Sequence, residues 1–521
     1  MTTPVGSNDD PFDLFVIGGG INGAGIARDA SGRGLSVALC EKDDLASGTS
    51  SRSGKLVHGG LRYLEYYEFR LVREALIERE VLMQAAPHII WPMRFVLPHS
   101  RNDRPAWFLR LGLFLYDHLG GRKRLPPTRS LNLRKSPEGE ALKPIYKKGF
   151  EFSDCWVDDS RLVVLNLIDA TERGATLFTR TRCTSAKRDG DLWQIKLADS
   201  SGAHKTVYAK GLVNAAGPWV NSVIDSLPAN DARHSSDKRV RLVKGSHIVT
   251  KKFWYGDNAY LVQNDDNRVI FINPYEGDHA LIGTTDIPHD GSADSVQADA
   301  AEVKYLLDCV NRYFAKSLRT DDVLYTFSGV RPLYDDKAAN PSAVTRDYVF
   351  DVNESDSNDC PLLSIFGGKI TTYRKLAEHA LEKLNPYYPA MQTAWTRSAP
   401  LPGGDIKNAD FDSYLAELKK TYHWLDADTL YHLARHYGER IGQIIGKATS
   451  TEQLGQQFGP CFYEAEARYM QQHEWAHEPD DFLQRRSKHG LHMSRQQHQA
   501  FIDWCNQAKQ PAKTTSAEPL S

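Results

Sequence analysis

A glycine-rich turn between a buried-type strand and a helix constrains this chain more than any other feature. The segment DLFVIGGGINGAGIARDASGRGLSVALCEKDD carries G-x-G-x-x-G as Gly18, Gly20 and Gly23, with Ala27 four residues later. The apolar run Leu14 to Ile17 reads as a strand, Ile21 to Ser31 as a helix and Leu35 to Leu39 as the next strand. That is a β-α-β unit in about 30 residues. Gly18 permits the tight turn, and Gly20 leaves room for a pyrophosphate to reach backbone N–H groups. Gly23 and Ala27 let the helix lie close on the strand. The helix N-terminus adds partial positive charge at the diphosphate. Glu41 ends the second strand, 23 residues after Gly18. A carboxylate there accepts a ribose with both hydroxyls free and repels a 2′-phosphate. The turn therefore predicts FAD or NAD rather than NADP.

The 521 residues allow about three domains. Lys and Arg number 64 against 66 Asp and Glu, a net charge of −2, which argues against a dedicated nucleic-acid binder. None of the seven cysteines sits in a C-x-x-C pair, so neither a disulfide scaffold nor a metal site is expected. The N-terminal MTTPVGSNDDPFD lacks the basic start and apolar run of a secretory signal, and no window offers about 18 consecutive apolar residues. Residues 64–86 read as a helix that Pro87 ends. From Arg101 to Lys135 nine Lys and Arg face only Asp103 and Asp117, a balance of +7 around the apolar insert Ala106 to Leu119. Residues 160–225 return to α/β texture. Residues 240–350 are β-rich with one helix near 299–317, and beyond Pro400 the chain is helical and polar. The tail from Ala508 has the composition of a disordered segment.

Three segments separate FAD from NAD. A flavin stays bound through turnover and needs more protein around it than a nicotinamide that leaves. GTSSRSGKLVHGGLRYLE (48–65) is a small, polar, glycine-bearing loop suited to a ribityl chain. GLVNAAGPWV (211–220) and LLSIFGGKITTYRKLAEHA (362–380) are further strand-to-turn elements, the second feeding Gly367–Gly368 and a helix whose N-terminus suits the flavin N1–C2=O end. Three separated segments meeting one extended ligand favour FAD. The cofactor candidates are Gly18, Gly20, Gly23, Glu41, Ser50, Ser51, Ser53, His58, Gly59, Ala216, Gly217, Gly368, Lys369, Thr371 and Thr372.

IGGGINGAGIARDASGRG (17–34) and GGKITTYRKLA (367–377) resemble the two motifs of the FAD-dependent glycerol-3-phosphate dehydrogenases, bacterial aerobic type. The likeness continues through KLVHGGLRYLE, PMRFVLPH, EFSDCWVDDSRL, KGSHIV, IGTTD, SGVRPL, VTRDY, FGPCFYEAEARYM and DDFLQRRSKHG, nearly residues 12–507. The resemblance implies an α/β fold of the glutathione-reductase and amino-acid-oxidase kind. Its FAD-binding Rossmann-like domain is expected at 12–90, 150–235 and 350–395, a β-rich substrate domain at 91–149 and 236–349, a helical C-terminal domain at 396–507 and a disordered tail at 508–521. It further implies non-covalent FAD, oxidation of sn-glycerol 3-phosphate to dihydroxyacetone phosphate, and electron delivery to a membrane quinone. A homodimer attached peripherally to the cytoplasmic face of the membrane completes the expectation. One departure stands out: the family usually carries Ser or Thr where this chain has Gly54.

A phosphomonoester needs Arg or Lys donors. Arg331 in FSGVRPL, Arg346 in AVTRDYV, Lys369 in FGGKITTY and Arg62 in HGGLRYLE are isolated cations in turn-like, apolar settings. The resemblance places Arg62, Tyr63, Arg331, Arg346 and Lys369 at or near the substrate. Oxidation at flavin N5 also requires loss of the hydroxyl proton, which suits a histidine base. His58 and His247 are the candidates, with Arg331 and Lys369 retained as perturbed cations, and His247 also as a substrate donor. Thr285 and Asp286 read as turn caps or substrate-domain contacts. The apolar insert AWFLRLGLFLYDHLGG could dip into a bilayer while its basic flanks meet anionic lipid, or be an ordinary core helix. Rival readings are a glycerol-3-phosphate oxidase using O2, an amine or hydroxy-acid oxidoreductase of the same fold, and a flavoprotein scaffold with a silent site.

Overall fold

The computed structural model describes residues 5–100, 104–228, 238–335, 347–353 and 360–508. Arg346, Arg101, Asp103 and the tail beyond Ala508 lie outside them. Two compact units divide the chain, Met1–Ala409 and Asp410–Ser521. No disulfide joins any of the seven cysteines. Among the described residues no helix is long and apolar enough to cross a membrane.

The first unit holds two sheets. In the eight-stranded sheet, Phe12–Ile17 lies between His204–Asn214 and Val37–Cys40, and both pairings are parallel. Leu362–Phe366 and Thr176–Phe178 extend the parallel order on the two sides. Val37–Cys40 and Leu362–Phe366 are buried throughout and Phe12–Ile17 at all but Asp13, as a parallel sheet covered on both faces requires. Helix Ile21–Gly32 packs against Asp159–Glu172 and Tyr373–Leu384 over one face.

The second sheet has ten strands and is mainly antiparallel. Towards one end of it, strand Val240–Lys251 pairs with His279–Gly283 and with Val323–Tyr334. Strand Lys148–Val157 pairs along its length with Ile90–His99 in this sheet. The junction expected between residues 149 and 150 therefore falls inside a strand, because the hydrogen-bonded ladder runs through it. The second unit is a set of helices, with Phe411–Thr421, Ala427–Tyr437, Glu464–His473 and Arg495–Ala508 the longest.

The helix expected over 64–86 begins only at Phe69. Leu61–Tyr66 forms a separate 3-10 turn, and Tyr67 at φ +59° breaks the path between the two. The break carries Arg62 and Tyr63 on their own turn, beside a cavity. Helix Phe69–Ala85 is tied to helix Tyr373–Leu384 by Arg374, which donates to Glu78 at 2.6 and 2.7 Å and also pairs with Glu378. All three side chains are almost fully buried. Arg374→Ala should lower the stability of the first unit by about 3–5 kcal/mol, because two buried carboxylates lose their cation. Urea unfolding checks this; an unchanged midpoint would show that water replaces the guanidinium.

Candidate active site

The parallel strands end level. Ile17 is in register with Asn214 and with Cys40, and Asn214 with Ser364. Just beyond these ends come Gly18, Gly217, and Gly367–Gly368, all at positive φ. Gly18, at φ +112°, shows why the position excludes a side chain: a Cβ there would meet the Ala215 carbonyl oxygen at 2.6 Å. Between these turns lies a cleft of about 500 Å³ whose walls include Gly18, Gly20, Glu41, Ser50, Ala216, Gly217 and Gly368. This is the crevice at strand carboxyl ends where nucleotides bind in open α/β sheets.

The cleft fits a dinucleotide. Gly20 contributes no side chain to cap helix Ile21–Gly32, and Gly20, Ile21 and Asn22 line the cleft. The buried Oδ1 of Asn22 has no hydrogen-bond partner among the described residues, while its Nδ2 donates to Gly367 O at 3.2 Å. Glu41 accepts the Gly19 N–H at 2.7 Å and the Asp43 N–H at 2.9 Å. Burial raises its pKa above the usual carboxylate value, and those two amides work against the rise. Ser50 Oγ accepts the Ile21 N–H at 2.9 Å, fixing the 48–54 loop to the helix start.

A second cavity, of about 560 Å³, has His58, Arg62, Tyr63, Thr284, Asp286 and Arg331 in its walls. Arg331 donates to Asp286 Oδ1 at 3.1 Å, Thr284 Oγ1 at 3.0 Å and Thr285 O at 3.3 Å. Lys369, one residue beyond the cleft glycine Gly368, sets its ammonium 4.0 Å above the Tyr63 ring. Thr285 is buried, accepts the Ser246 N–H at 2.9 Å and donates to Glu302 at 2.7 Å. It anchors the turn, and Asp286 orients Arg331.

The two histidines differ. His58 lines the cavity, and its backbone N–H donates to Thr371 Oγ1 at 3.3 Å. The adjacent Gly59 N–H donates to Tyr116 Oη at 2.7 Å; that hydroxyl donates to Asp154, which also holds Arg79 at 2.6 Å. Burial pushes the His58 pKa down; Asp154 opposes this, and Lys369 and Arg79 add to it. His247 is 3% exposed and stacks on Phe327 at 4.8 Å. Burial first, then Arg331 and Lys55, push its pKa down to about 3. Its Nδ1 has no hydrogen-bond partner among the described residues.

The structure thus gathers His58, Arg62, Tyr63 and Arg331 on one cavity, with Lys369 against Tyr63 and His247 a layer deeper. Ser53 lines the cleft while its hydroxyl donates to Asp159 at 2.7 Å, and the Ser51 carbonyl accepts from Lys55 at 3.2 Å. Thr371 and Thr372 are buried at the start of helix Tyr373–Leu384. Sequence reasoning missed the buried pair Lys55–Asp159, at 2.9 Å, and the Arg79–Asp154–Tyr116 group. Both lie in quoted motifs, yet a charge in a short motif reads as solvated, and only burial reveals the frame.

Residues 13–373 match the family described as FAD dependent oxidoreductase, and residues 394–510 the C-terminal domain of alpha-glycerophosphate oxidase. D-erythritol 1-phosphate dehydrogenase of Brucella abortus is 60% identical, over 95% of this chain and 98% of its own length. Aerobic glycerol-3-phosphate dehydrogenase of Escherichia coli is 50% identical, over 94% of this chain and 97% of its own. Among solved structures, glycerol-3-phosphate dehydrogenase from Bacillus halodurans complexed with FAD has a TM-score of 0.76 at 29% identity, covering 96% of this chain and 90% of that one. With its dinucleotide cleft and its sequence agreeing, the chain belongs to the FAD-dependent oxidoreductases and, among them, to the bacterial glycerol-3-phosphate dehydrogenase family.

Proposed function

We propose that the protein oxidises the secondary hydroxyl of a polyol phosphate, sn-glycerol 3-phosphate to dihydroxyacetone phosphate, and passes the electrons to a membrane quinone. The observation that carries this is the cavity lined by His58, Arg62, Tyr63 and Arg331, whose Tyr63 lies under Lys369, the residue that follows the cleft's Gly368. Bound FAD would supply the hydride acceptor, at N5 of its ring. Arg62, Arg331 and Lys369 hold the phosphate, joined by Arg346 on the family likeness, and Tyr63 is braced by the Lys369 ammonium. His58 takes the hydroxyl proton. It is neutral at working pH and faces the cavity, and Asp154 stabilises the imidazolium once formed. His247 orients the substrate instead, since two neighbouring cations and full burial oppose its protonation.

His58→Gln should slow flavin reduction by about 10²–10⁴-fold with flavin still bound, whereas His247→Gln should act mainly on KM. A base works only when unprotonated, and the His58 pKa is lowered. The rising limb of the reduction rate should therefore centre below about pH 6.5. Anaerobic stopped-flow decides; an unaltered rate in His58→Gln would remove that residue as the base.

A second reading has support. The 60% identical relative is named for D-erythritol 1-phosphate, a substrate one carbon longer. A Cβ on Gly54 would lie 3.7 Å from His247 Nε2, so the missing side chain leaves room beside that imidazole. Anaerobic titration with both phosphates, read as bleaching of the flavin, separates the readings. Gly54→Ser should lower kcat/KM for the four-carbon substrate about tenfold or more relative to the three-carbon one. Equal loss for both would end the role given to Gly54, and absence of bleaching by either would end the polyol-phosphate reading. Peroxide formation without quinone would favour an oxidase.

For the membrane, helix Ala106–Leu119 supports attachment as an unburied apolar face: Trp107 is 70%, Phe114 49% and Leu111 48% exposed. Phe108, Leu111 and Leu115 also border the cavity that holds Arg331, which suits an apolar electron acceptor. Arg122 and Arg124 are partly engaged, with Leu125 O and with Gln84 and Ala409 O. The apolar face should then contribute more than the basic flank. Position on the cytoplasmic face and a homodimer rest on the family likeness alone. Trp107→Ser with Leu111→Ser should release the protein from anionic vesicles at low salt, while reversing Arg122, Lys123 and Arg124 should only steepen the salt dependence. Unchanged cosedimentation of the serine variant would remove this helix as the anchor.

A further inference from the structure

In the second unit three side chains from three elements aim their ligand atoms at one point. His432 stands on helix Ala427–Tyr437, Glu466 in the first turn of helix Glu464–His473, and His489 opens the turn His489–Leu491. Lys488, at φ +56°, turns the chain so that His489 points back to the other two. His432 Nε2 lies 2.7 Å from Glu466 Oε1 and 3.1 Å from His489 Nε2, and His489 Nε2 lies 3.4 Å from Glu466 Oε2.

Two features make this more than a hydrogen-bonded cluster. Glu466 is 1% exposed, and among the described residues no Lys or Arg pairs with it. A buried carboxylate needs a cation, and here only imidazoles are at hand. The two imidazoles also present Nε2 to Nε2, an arrangement that one proton satisfies on a single line but a metal satisfies for both. A tetrahedral zinc with bonds of about 2.0–2.1 Å separates its ligands by about 3.3–3.4 Å, close to two of the three spacings. Tyr437 donates to Glu466 Oε1 at 2.8 Å, the kind of outer partner that orients a ligating carboxylate. Phe462 stacks on the His489 ring at 4.4 Å and walls the site, whereas the His432 side chain keeps 12% exposure as a route in.

We propose that His432, Glu466 and His489 bind a divalent cation of the zinc class, with water in the fourth position. Two nitrogens and one carboxylate oxygen suit Zn²⁺ and its surrogate Co²⁺ better than Mg²⁺ or Ca²⁺, which take oxygen shells. The ion would tie two helices and a turn of the second unit to one another.

The test uses untagged, flavin-loaded full chain, stripped with chelator and titrated with Zn²⁺ alone and Co²⁺ alone. About one equivalent should bind per chain, Co²⁺ should give visible d–d bands, and the thermal midpoint should rise with Zn²⁺. His489→Gln and Glu466→Gln should each weaken binding by more than about 100-fold, beyond the usual effect of an outer partner. His436→Gln, a neighbour without a ligand atom in the cluster, should bind as the parent does. Failure of the parent chain to take up Zn²⁺ or Co²⁺ at micromolar concentration overturns the proposal whatever the variants do. So does equal binding by the parent and both ligand variants.

Discussion

Three parallel strands that end level are the constraint on which the rest of the first unit depends. The ladder that pairs Ile17 with Asn214 on one side and Cys40 on the other fixes where the chain must turn. At each end the next residues must clear the neighbouring strand at close range, which is why Gly18 tolerates no Cβ beside Ala215. The same turns expose backbone donors along one crevice. A cofactor cleft is thus a consequence of register plus glycine, and the loop after Glu41 closes it through Ser50 on the Ile21 amide.

The chemistry of the second cavity depends on a balance between burial and neighbouring charge. Lys55 is buried but neutralised by Asp159, and Arg79 by Asp154, so these four brace loops without adding net charge. Burial lowers both imidazole pKa values, helped by Lys369 and Arg79 at His58 and by Arg331 and Lys55 at His247, and Asp154 offsets part of the fall at His58 alone. An arriving phosphate dianion would offset the cations that disfavour imidazolium, so substrate binding itself would improve the base.

How much of this was legible in the sequence depended on distance along the chain. Gly18, Gly20, Gly23 and Glu41 could be read because one β-α-β unit contains both the motif and its physical reason. Gly217 and Gly368 could be suspected from strand-to-turn texture, although nothing local says that the first strand pairs with Phe12–Ile17 and the second with the first. The helix over 64–86 was misjudged at its start because Leu64, Phe69, Val72 and Leu76 keep an apolar rhythm through Tyr67, where the backbone in fact leaves the helix. Ser53 lines the cleft as the loop reading expects, but the partner of its hydroxyl, Asp159, is 106 positions away and no local pattern announces it. His432, Glu466 and His489 had no spacing signature at all, since three elements supply one atom each.

Substrate size is a finer property than fold, and the cavity makes clear why. Relatives at 60% and 50% identity carry different substrate names, so the shared scaffold binds the common part, a phosphate and a hydroxyl one carbon away. What differs must lie where the polyol's far end falls. Gly54 is placed for that: it sits on the loop that follows the cleft, its carbonyl accepts from Asn273 at 3.4 Å, and its absent side chain faces His247 Nε2. A hydroxymethylene needs both volume and a hydrogen-bond partner. The vacancy beside an imidazole supplies the first without removing the second, so discrimination there would come from shape, with the cations left to hold whichever phosphate enters.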